Sequence, residues 1–190
     1  MRVIAGKLGG RRLAAPKGMS TRPTIDRVKE AIFSTITPYL SGARVLDAFS
    51  GTGSLAIEAL SRGASEAILI EKDLKAYKII KQNIESLGIS ESKEIFGDCL
   101  KVISHMKDGE KFDLIFLDPP YNRGFLDKAI KIIMEKDILN KEGIIIVETN
   151  SRNNEAFAID GLEIFKKADY GDTSIIYCQK AERSTNSGES

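Results

Sequence analysis

The chain has 190 residues, 42% of them hydrophobic, which is enough for one globular domain with a buried core and excludes disorder of the whole chain. The 28 basic and 27 acidic residues leave a net charge of +1, and no apolar run is long enough to span a bilayer. Two cysteines and one histidine are too few for a disulfide scaffold or a metal centre built from those residues. We therefore expect a soluble, cytoplasmic protein without a metal.

The first 29 residues are strongly basic, whereas the rest of the chain is acidic. They hold eight basic side chains and one acidic one, a balance of +7, against −6 for the remainder. Short apolar pairs at Val3-Ile4 and Leu13-Ala14 flank Gly9-Gly10, which predicts a short β-hairpin. We expect residues 1–22 to form a basic arm that binds a polyanion. The cations assigned to this role are Arg2, Lys7, Arg11, Arg12, Lys17, Arg22 and Arg27.

Helices and strands alternate after the arm. A helix is predicted from Thr24 up to Thr37-Pro38, because apolar residues recur there every three or four positions. Five short apolar runs then predict strands at 44–48, 67–71, 93–96, 112–118 and 143–148, with helices at 54–62, 73–87, 98–106 and 125–136. This alternation is typical of a parallel sheet that is covered on both faces.

The end of the chain departs from that alternation. Two strands are predicted at 162–168 and 174–179, joined directly through Tyr170-Gly171-Asp172 without a helix. Such a pair forms an antiparallel hairpin, which we expect to close one edge of the sheet. Residues 23–180 are thus predicted to be the main domain, and the polar residues 181–190 a disordered tail.

A glycine-rich loop, Asp47-Ala48-Phe49-Ser50-Gly51-Thr52-Gly53-Ser54, follows the first predicted strand. Ligands of open α/β sheets bind beyond the carboxyl ends of the strands, where glycines allow close approach of the backbone. With Glu71 twenty positions after Gly51, the loop also satisfies the loose dinucleotide fingerprint. An NAD enzyme and a purely structural glycine turn are therefore the alternatives at this point.

Acidic residues at three predicted strand ends favour S-adenosyl-L-methionine over NAD. The carboxylate of Asp47 suits the α-amino cation of that cofactor better than a pyrophosphate, and Glu71 can accept from both ribose hydroxyls. Asp98 is placed to accept from the adenine amino group, and it can also cap a helix. The predicted cofactor-binding residues are Asp47, Phe49, Gly51, Gly53, Glu71, Lys72, Asp98 and Cys99.

The fourth predicted strand ends in Leu117-Asp118-Pro119-Pro120-Tyr121. The two prolines remove two backbone donors, so carbonyl groups near the turn can serve as rigid acceptors. A carboxylate plus a carbonyl can hold both hydrogens of an exocyclic amino group and align its nitrogen with an electrophilic methyl group. We expect Asp118, Pro119 and Pro120 to form the catalytic site, with Tyr121 stacking on the base. A rigid turn capped by Asp118 is the structural alternative.

An Asp-Pro-Pro-Tyr motif after such a loop resembles the amino-group methyltransferases. The segment Arg22–Phe33 resembles the signature of the RsmD family, which methylates guanine N2 in small-subunit (16S) ribosomal RNA. Residues that also fit are Arg2, Ile4, Gly6, Gly10, Leu13, Pro16 and the block Glu58–Ala64. The resemblance covers residues 2–180. It implies a Rossmann-like, seven-stranded methyltransferase sheet, S-adenosyl-L-methionine as cofactor, and 16S ribosomal RNA or the small ribosomal subunit as partner.

Two other interpretations remain open from the residues alone. One changes the methyl acceptor to an adenine N6 amino group of DNA or RNA or to a glutamine amide in a protein; Asp118 and the basic arm favour nucleic acid. The other is a non-catalytic or NAD-linked binding domain. The motif does not separate guanine N2 from adenine N6, and only the family resemblance does. We further expect a monomer without a membrane partner, and a cofactor site that survives deletion of residues 1–17.

Overall fold

The structure is a computed structural model that describes residues 1–16, 23–120, 124–151 and 161–181. The helices are α1 (Pro23–Ile36), α2 (Ser54–Ser61), α3 (Leu74–Leu87), α4 (Cys99–Ser104) and α5 (Phe125–Glu135), with a short 3₁₀ turn at Thr37–Tyr39. The strands are β1 (Arg44–Asp47), β2 (Glu66–Glu71), β3 (Ser92–Phe96), β4 (Phe112–Leu117), β5 (Leu139–Asn150), β6 (Leu162–Tyr170) and β7 (Thr173–Lys180). Three predicted site residues, Lys17, Arg22 and Tyr121, and the predicted tail beyond residue 181 lie outside the described ranges.

The seven strands form one sheet in the order β3-β2-β1-β4-β5-β7-β6. Strands β1 to β5 run parallel, and β7 is antiparallel to both β5 and β6. The predicted seven-stranded sheet with a terminal antiparallel hairpin is therefore confirmed. The strand order reverses between β1 and β4, and open α/β sheets bind their ligands at such a switch point.

Strand β5 begins earlier than the sequence predicts. Leu139 pairs with Phe112, and the register then shifts so that Ile144 pairs with Leu114. The extra residues lie opposite Asp113, whose carboxylate accepts from the side chain of Asn140. Because these extra residues are polar, the apolar pattern that the prediction followed starts only at Gly143.

Helices cover both faces of the sheet. Along β5, Ile144 and Ile146 pack with α1, α2 and α3, whereas Ile145 and Val147 pack with α4 and α5. Successive side chains of a strand point to opposite faces. Both faces are buried here, which explains why the strands are continuous apolar runs rather than alternating ones.

Residues 1–16, here called the N-terminal segment, pack onto the α1–α3 face. Val3 and Leu13 are buried in the same core cluster as those helices. The predicted hairpin takes the form of one antiparallel bridge between Arg2 and Arg12. A Cβ at Gly6 would lie 1.9 Å from the carbonyl oxygen of Ser61, so glycine is required for this close approach to α2.

The N-terminal segment contacts the glycine loop, which argues against the expectation that the cofactor site survives deletion of residues 1–17. The hydroxyl of Thr52 donates to the sulfur of Met1 at 3.3 Å. The amide of Asn83 donates to the carbonyl oxygens of both Ala14 and Thr52. The N-terminal segment therefore supports the loop directly, and its deletion would remove part of the wall around it.

The carboxylate of Glu58, on α2, is fully buried and connects α2 with the N-terminal segment and α1. It accepts from the backbone amides of Ile4 and Ala5 at 2.7 and 3.0 Å and from Arg62 Nε at 2.7 Å. Lys29 of α1 lies 3.2 Å from it and is almost equally buried. Burial lowers the pKa of Lys29, and the neighbouring carboxylate opposes that shift. Lys29 is therefore an internal cation, although it belongs to the basic stretch of residues 1–29.

We predict that Glu58→Gln lowers the free energy of unfolding by about 3–5 kcal/mol, because it leaves the Lys29 ammonium buried without its counter-charge. Urea denaturation followed by circular dichroism measures this. The matched control is Glu66→Gln, which removes the exposed contact of Glu66 with Arg44 Nε at 3.0 Å and should cost less than about 1 kcal/mol. Equal losses of unfolding free energy in the two variants would show that the buried pair stabilises the fold no more than the exposed pair does.

Candidate active site

Five acidic residues lie in a row along one edge of the sheet. Each of the parallel strands carries one at its carboxyl end or within two residues of it; in sheet order they are Asp98, Glu71, Asp47, Asp118 and Glu148. The carboxyl ends of parallel strands meet at one edge, which is why residues far apart in sequence come together here. The sequence analysis predicted the first four as a site and missed Glu148. Glu148 could have been found from the sequence, because it is the acidic residue that ends the fifth apolar run.

Glu71 is anchored to the glycine loop. Its two carboxylate oxygens accept from the backbone amides of Gly51 at 2.8 Å and Asp73 at 2.7 Å. Gly51 and Gly53 have φ values of +54° and +76°, a backbone region that favours glycine. A Cβ at Gly53 would lie 3.0 Å from Leu69, whereas one at Gly51 would meet nothing within 4 Å. Gly51 therefore leaves open space directly beside the Glu71 carboxylate.

A first cavity, of about 350 Å³, opens on this space. Its volume is within the range of about 300–1,000 Å³ that is usual for small-molecule sites. Six of the eight predicted cofactor-binding residues line it, together with Asp118 and both prolines. These six are Phe49, Gly51, Glu71, Lys72, Asp98 and Cys99.

Asp98 caps α4, as the sequence analysis expected, by accepting from the amide of Lys101 at 3.3 Å, so its structural role exists beside any binding role. Burial raises the pKa of the Cys99 thiol to about 12, so this thiol stays protonated. Lys72 Nζ lies 4.7 Å from the ring centroid of Phe125. Phe125 was missed as a site residue, and the aromatic position just after the Asp-Pro-Pro-Tyr motif could have indicated it.

A second cavity, of about 390 Å³, lies on the α1 side of the strand ends. Asp47, Asp118 and Glu148 line it together with apolar side chains of α1 and Met1. Phe49, Gly51 and Asp118 border both cavities. Asp118 therefore lies at the junction of two neighbouring binding spaces.

The crowding of carboxylates changes their protonation. Burial raises the pKa of Asp47 to about 7. The side chain of Asp118 borders the open cleft, yet protein surrounds it on most sides and Glu148 and Asp47 lie nearby. This desolvation and the two neighbouring charges raise the pKa of Asp118 well above its usual range. Burial likewise raises the pKa of Glu148. The second cavity therefore favours protons or hydrogen-bond donors.

Within the described part of the chain, no group of acids, cysteines or histidine could hold a metal ion. No helix described there is long and apolar enough to cross a membrane.

The predicted RNA-binding cations differ in their surroundings. Arg2 pairs with Asp26 at 3.1 Å, Lys7 pairs with Glu91 at 2.9 Å, and Arg11 donates to the carbonyl oxygen of Ser86 at 3.4 Å. Arg12 and Arg27 are exposed. The pairs of Arg2 and Lys7 are at the surface, where ion pairs are weak and easily exchanged. Their binding to RNA stays a prediction.

Solved structures share this architecture. A putative methyltransferase from Escherichia coli superposes with a TM-score of 0.84 at 27% identity, covering 96% of this chain and 99% of that one. A putative methylase from Haemophilus influenzae gives 0.82 at 30% identity with the same coverage. The sheet order and the row of strand-end acids define the class: a Rossmann-like methyltransferase fold of the S-adenosylmethionine-dependent type.

Sequence comparison identifies the family. Residues 1–179 match the family model described as Conserved hypothetical protein 95. The Bacillus subtilis protein named putative rRNA methyltransferase YlbH is 38% identical over 182 residues, 95% of this chain and 99% of that protein. The Escherichia coli ribosomal RNA small subunit methyltransferase D is 33% identical over 153 residues, 80% of this chain and 76% of that protein. The chain belongs to this family, the RsmD family, as its motifs predicted.

The raised pKa of Asp47 predicts a pH-dependent stability. The folded protein keeps the Asp47 proton up to about pH 7, whereas the unfolded chain releases it near 3.8. Ionisation therefore destabilises the fold increasingly as the pH rises from about 4 to about 7. The stability advantage of Asp47→Asn over wild type should grow by on the order of 2 kcal/mol between pH 5 and pH 8.

Urea denaturation at the two pH values measures this advantage. Asp108→Asn, at a fully exposed side chain, is the control and should follow wild type at both values. A constant difference between Asp47→Asn and wild type would refute the assignment.

Proposed function

We propose that this chain transfers a methyl group from S-adenosyl-L-methionine to the exocyclic N2 amino group of a guanine in small-subunit ribosomal RNA. The observation that carries the proposal is the position of Asp118 at the junction of two cavities. A donor in the first cavity and an acceptor base in the second would meet at that carboxylate.

The first cavity suits the donor. Glu71 already accepts two backbone amides, and its remaining lone pairs face the open space beside Gly51, where ribose hydroxyls could donate. Asp98 and Phe125, which line the first cavity, would take the adenine. Asp47 lines the second cavity together with Gly51, which borders both, and would take the α-amino group where the two cavities adjoin. The bound cofactor would supply an electrophilic methyl group on a sulfonium centre.

The turn after β4 suits the acceptor. Asp118 accepts one N2 hydrogen, and a second acceptor at the strand ends accepts the other, which aligns the nitrogen lone pair with the methyl carbon. That lone pair forms the new bond as the carbon–sulfur bond breaks, and the sulfur keeps the electron pair. The surplus proton on N2 passes to Asp118 and then to water. Burial and the nearby charges of Glu148 and Asp47 raise the pKa of Asp118, which makes its carboxylate a stronger base than an ordinary aspartate.

The names of the relatives support ribosomal RNA as the acceptor. The basic residues around the N-terminal segment supply cations for its phosphates, on the same face of the sheet as the second cavity. A guanine in RNA reaches this cavity only if it is unpaired or flipped out of its helix.

The test is to incubate the protein with labelled methyl donor and either free 16S ribosomal RNA or small ribosomal subunits, and then to map the modified nucleoside. N2-methylguanosine at one position is the expected product. N6-methyladenosine would overturn the proposed acceptor, and absence of transfer with binding of NAD would overturn the whole proposal.

We predict that Asp118→Asn abolishes methyl transfer while donor affinity stays within a few-fold of wild type, because Asp118 holds the acceptor. Glu71→Gln is the reciprocal variant: donor affinity should fall by roughly ten- to a hundredfold as charge-assisted hydrogen bonds weaken. Calorimetry measures donor binding, and single-turnover transfer measures the reaction. Retained transfer in Asp118→Asn would mean that the motif is only a rigid turn.

A further prediction concerns the salt dependence of RNA binding. The double variant of Arg12→Gln and Arg27→Gln should flatten the plot of log affinity against log salt by about 0.7 for each phosphate that the protein no longer neutralises. Substitution is preferable to deletion, since the N-terminal segment supports the glycine loop. Lys131→Gln on α5, on the opposite face of the sheet, is the control and should leave the slope unchanged. Equal slopes in all three proteins would place RNA recognition elsewhere.

A further inference from the structure

We propose that Glu148 determines the base specificity of this site by accepting the N1–H of the target guanine together with one N2 hydrogen. The inference rests on the proposed function, and it assigns to Glu148 a discrimination that the Asp-Pro-Pro-Tyr motif cannot make.

Glu148 and Asp118 occupy equivalent positions on neighbouring strands. Leu117 of β4 is in register with Val147 of β5, so Asp118 and Glu148 are the next residues on each strand. Adjacent strands lie about 4.8 Å apart. Side chains alternate between the faces, and Ile146 packs toward α1–α3 while Val147 packs toward α4 and α5. Glu148, next in the alternation, therefore faces the α1 side, and it lines the second cavity with Asp118.

The remaining walls of the second cavity suit a flat base. Val28 and Ile32 of α1 contribute apolar surface, and Met1 closes one side from the N-terminal segment. Glu148 is in register with Ile175 of β7, and Thr173 of the same strand also lines the cavity. The carboxylates therefore lie in surroundings where an unpaired charge is costly and a donor-rich ligand edge is favoured.

Guanine presents such an edge. Its N1–H and its exocyclic amino group are neighbouring donors, and an ionised carboxylate can accept one hydrogen from each. The second N2 hydrogen is left for Asp118. Adenine presents an acceptor, its unprotonated N1, beside the N6 amino group. Its lone pair would face the Glu148 carboxylate, and a buried acceptor would stay unpaired.

The electrostatics of the site agree with this geometry. The Glu148 charge contributes to the raised pKa of Asp118, and burial raises the pKa of Glu148 itself. The two carboxylates therefore repel each other when both are ionised. The adjacent donors of guanine would relieve that repulsion, whereas a base with one donor would do so only in part.

The test uses an RNA fragment that contains the guanine mapped in the experiment above. It is made with either guanine or 2-aminopurine at that position; 2-aminopurine keeps the amino group on C2 but has an unprotonated N1. Single-turnover methylation of both fragments is measured with saturating donor for wild type and Glu148→Gln. The matched control is Glu142→Gln, at an exposed position near the other end of β5.

Wild type and Glu142→Gln should methylate guanine faster than 2-aminopurine by roughly ten- to a hundredfold, the usual discrimination of a two-bond base contact. Glu148→Gln should lose most of this preference or reverse it, since a glutamine amide can donate to the unprotonated N1. Its donor affinity, measured by calorimetry, should match wild type. If Glu148→Gln folds poorly, Glu148→Ala gives the same comparison and should abolish the preference without reversing it.

Two results would overturn the inference and leave the proposed function intact. One is a wild type that methylates both bases equally well. The other is a Glu148→Gln that slows both reactions by the same factor and retains the preference. A wild type that methylates no guanine in ribosomal RNA is a different result, because it would overturn the proposed function itself.

Discussion

The buried carboxylate of Glu58 holds together the elements that enclose the candidate site. It receives the backbone of the N-terminal segment, the Lys29 side chain of α1 and Arg62 at the end of α2. Helix α2 follows the glycine loop, and α1 and Met1 line the second cavity. A single charged group in the interior thus sets the position of three walls relative to the loop. Removing the Glu58 charge would leave the Lys29 ammonium group buried without a counter-charge, so substitutions of Glu58 are costly.

The strand ends concentrate negative charge, and this concentration opposes stability. Burial raises the pKa values of Asp47, Asp118 and Glu148, so each of these groups is less stable as an anion here than in water. A fold selected for stability alone would replace them with neutral side chains. Under the proposed function the same groups act on the cationic donor and the N–H edge of the acceptor, which supply the missing counterparts. At these three positions, a change that stabilises the fold would then weaken ligand binding.

Much of the candidate site could be predicted from the sequence. The parts that could not be predicted have one cause in common. The glycine loop, Glu71 and Asp118 were predicted because each lies within a short motif or at the end of an apolar run. Phe125 and Met1 belong to no such motif, and they reach the cavities only because distant segments pack together. Glu148 ends an apolar run, but only the strand order brings it next to Asp118. The expectation that the cofactor site survives deletion of residues 1–17 left out contacts of the same long-range kind. Charge counting describes a segment as basic, but it does not reveal that Val3 and Leu13 are core residues.

The sequence by itself determined the order of elements along the chain and therefore the fold class. Its apolar runs, amphipathic helices and helix-free final pair of strands are local patterns, with periods that the backbone geometry of each element sets. Only the tertiary structure decided the order of strands in the sheet, the burial of Lys29 against Glu58 and the alignment of Glu148 with Asp118. These features depend on which strands become neighbours and on the register between them. Both result from packing over the whole molecule, which no short stretch of sequence contains.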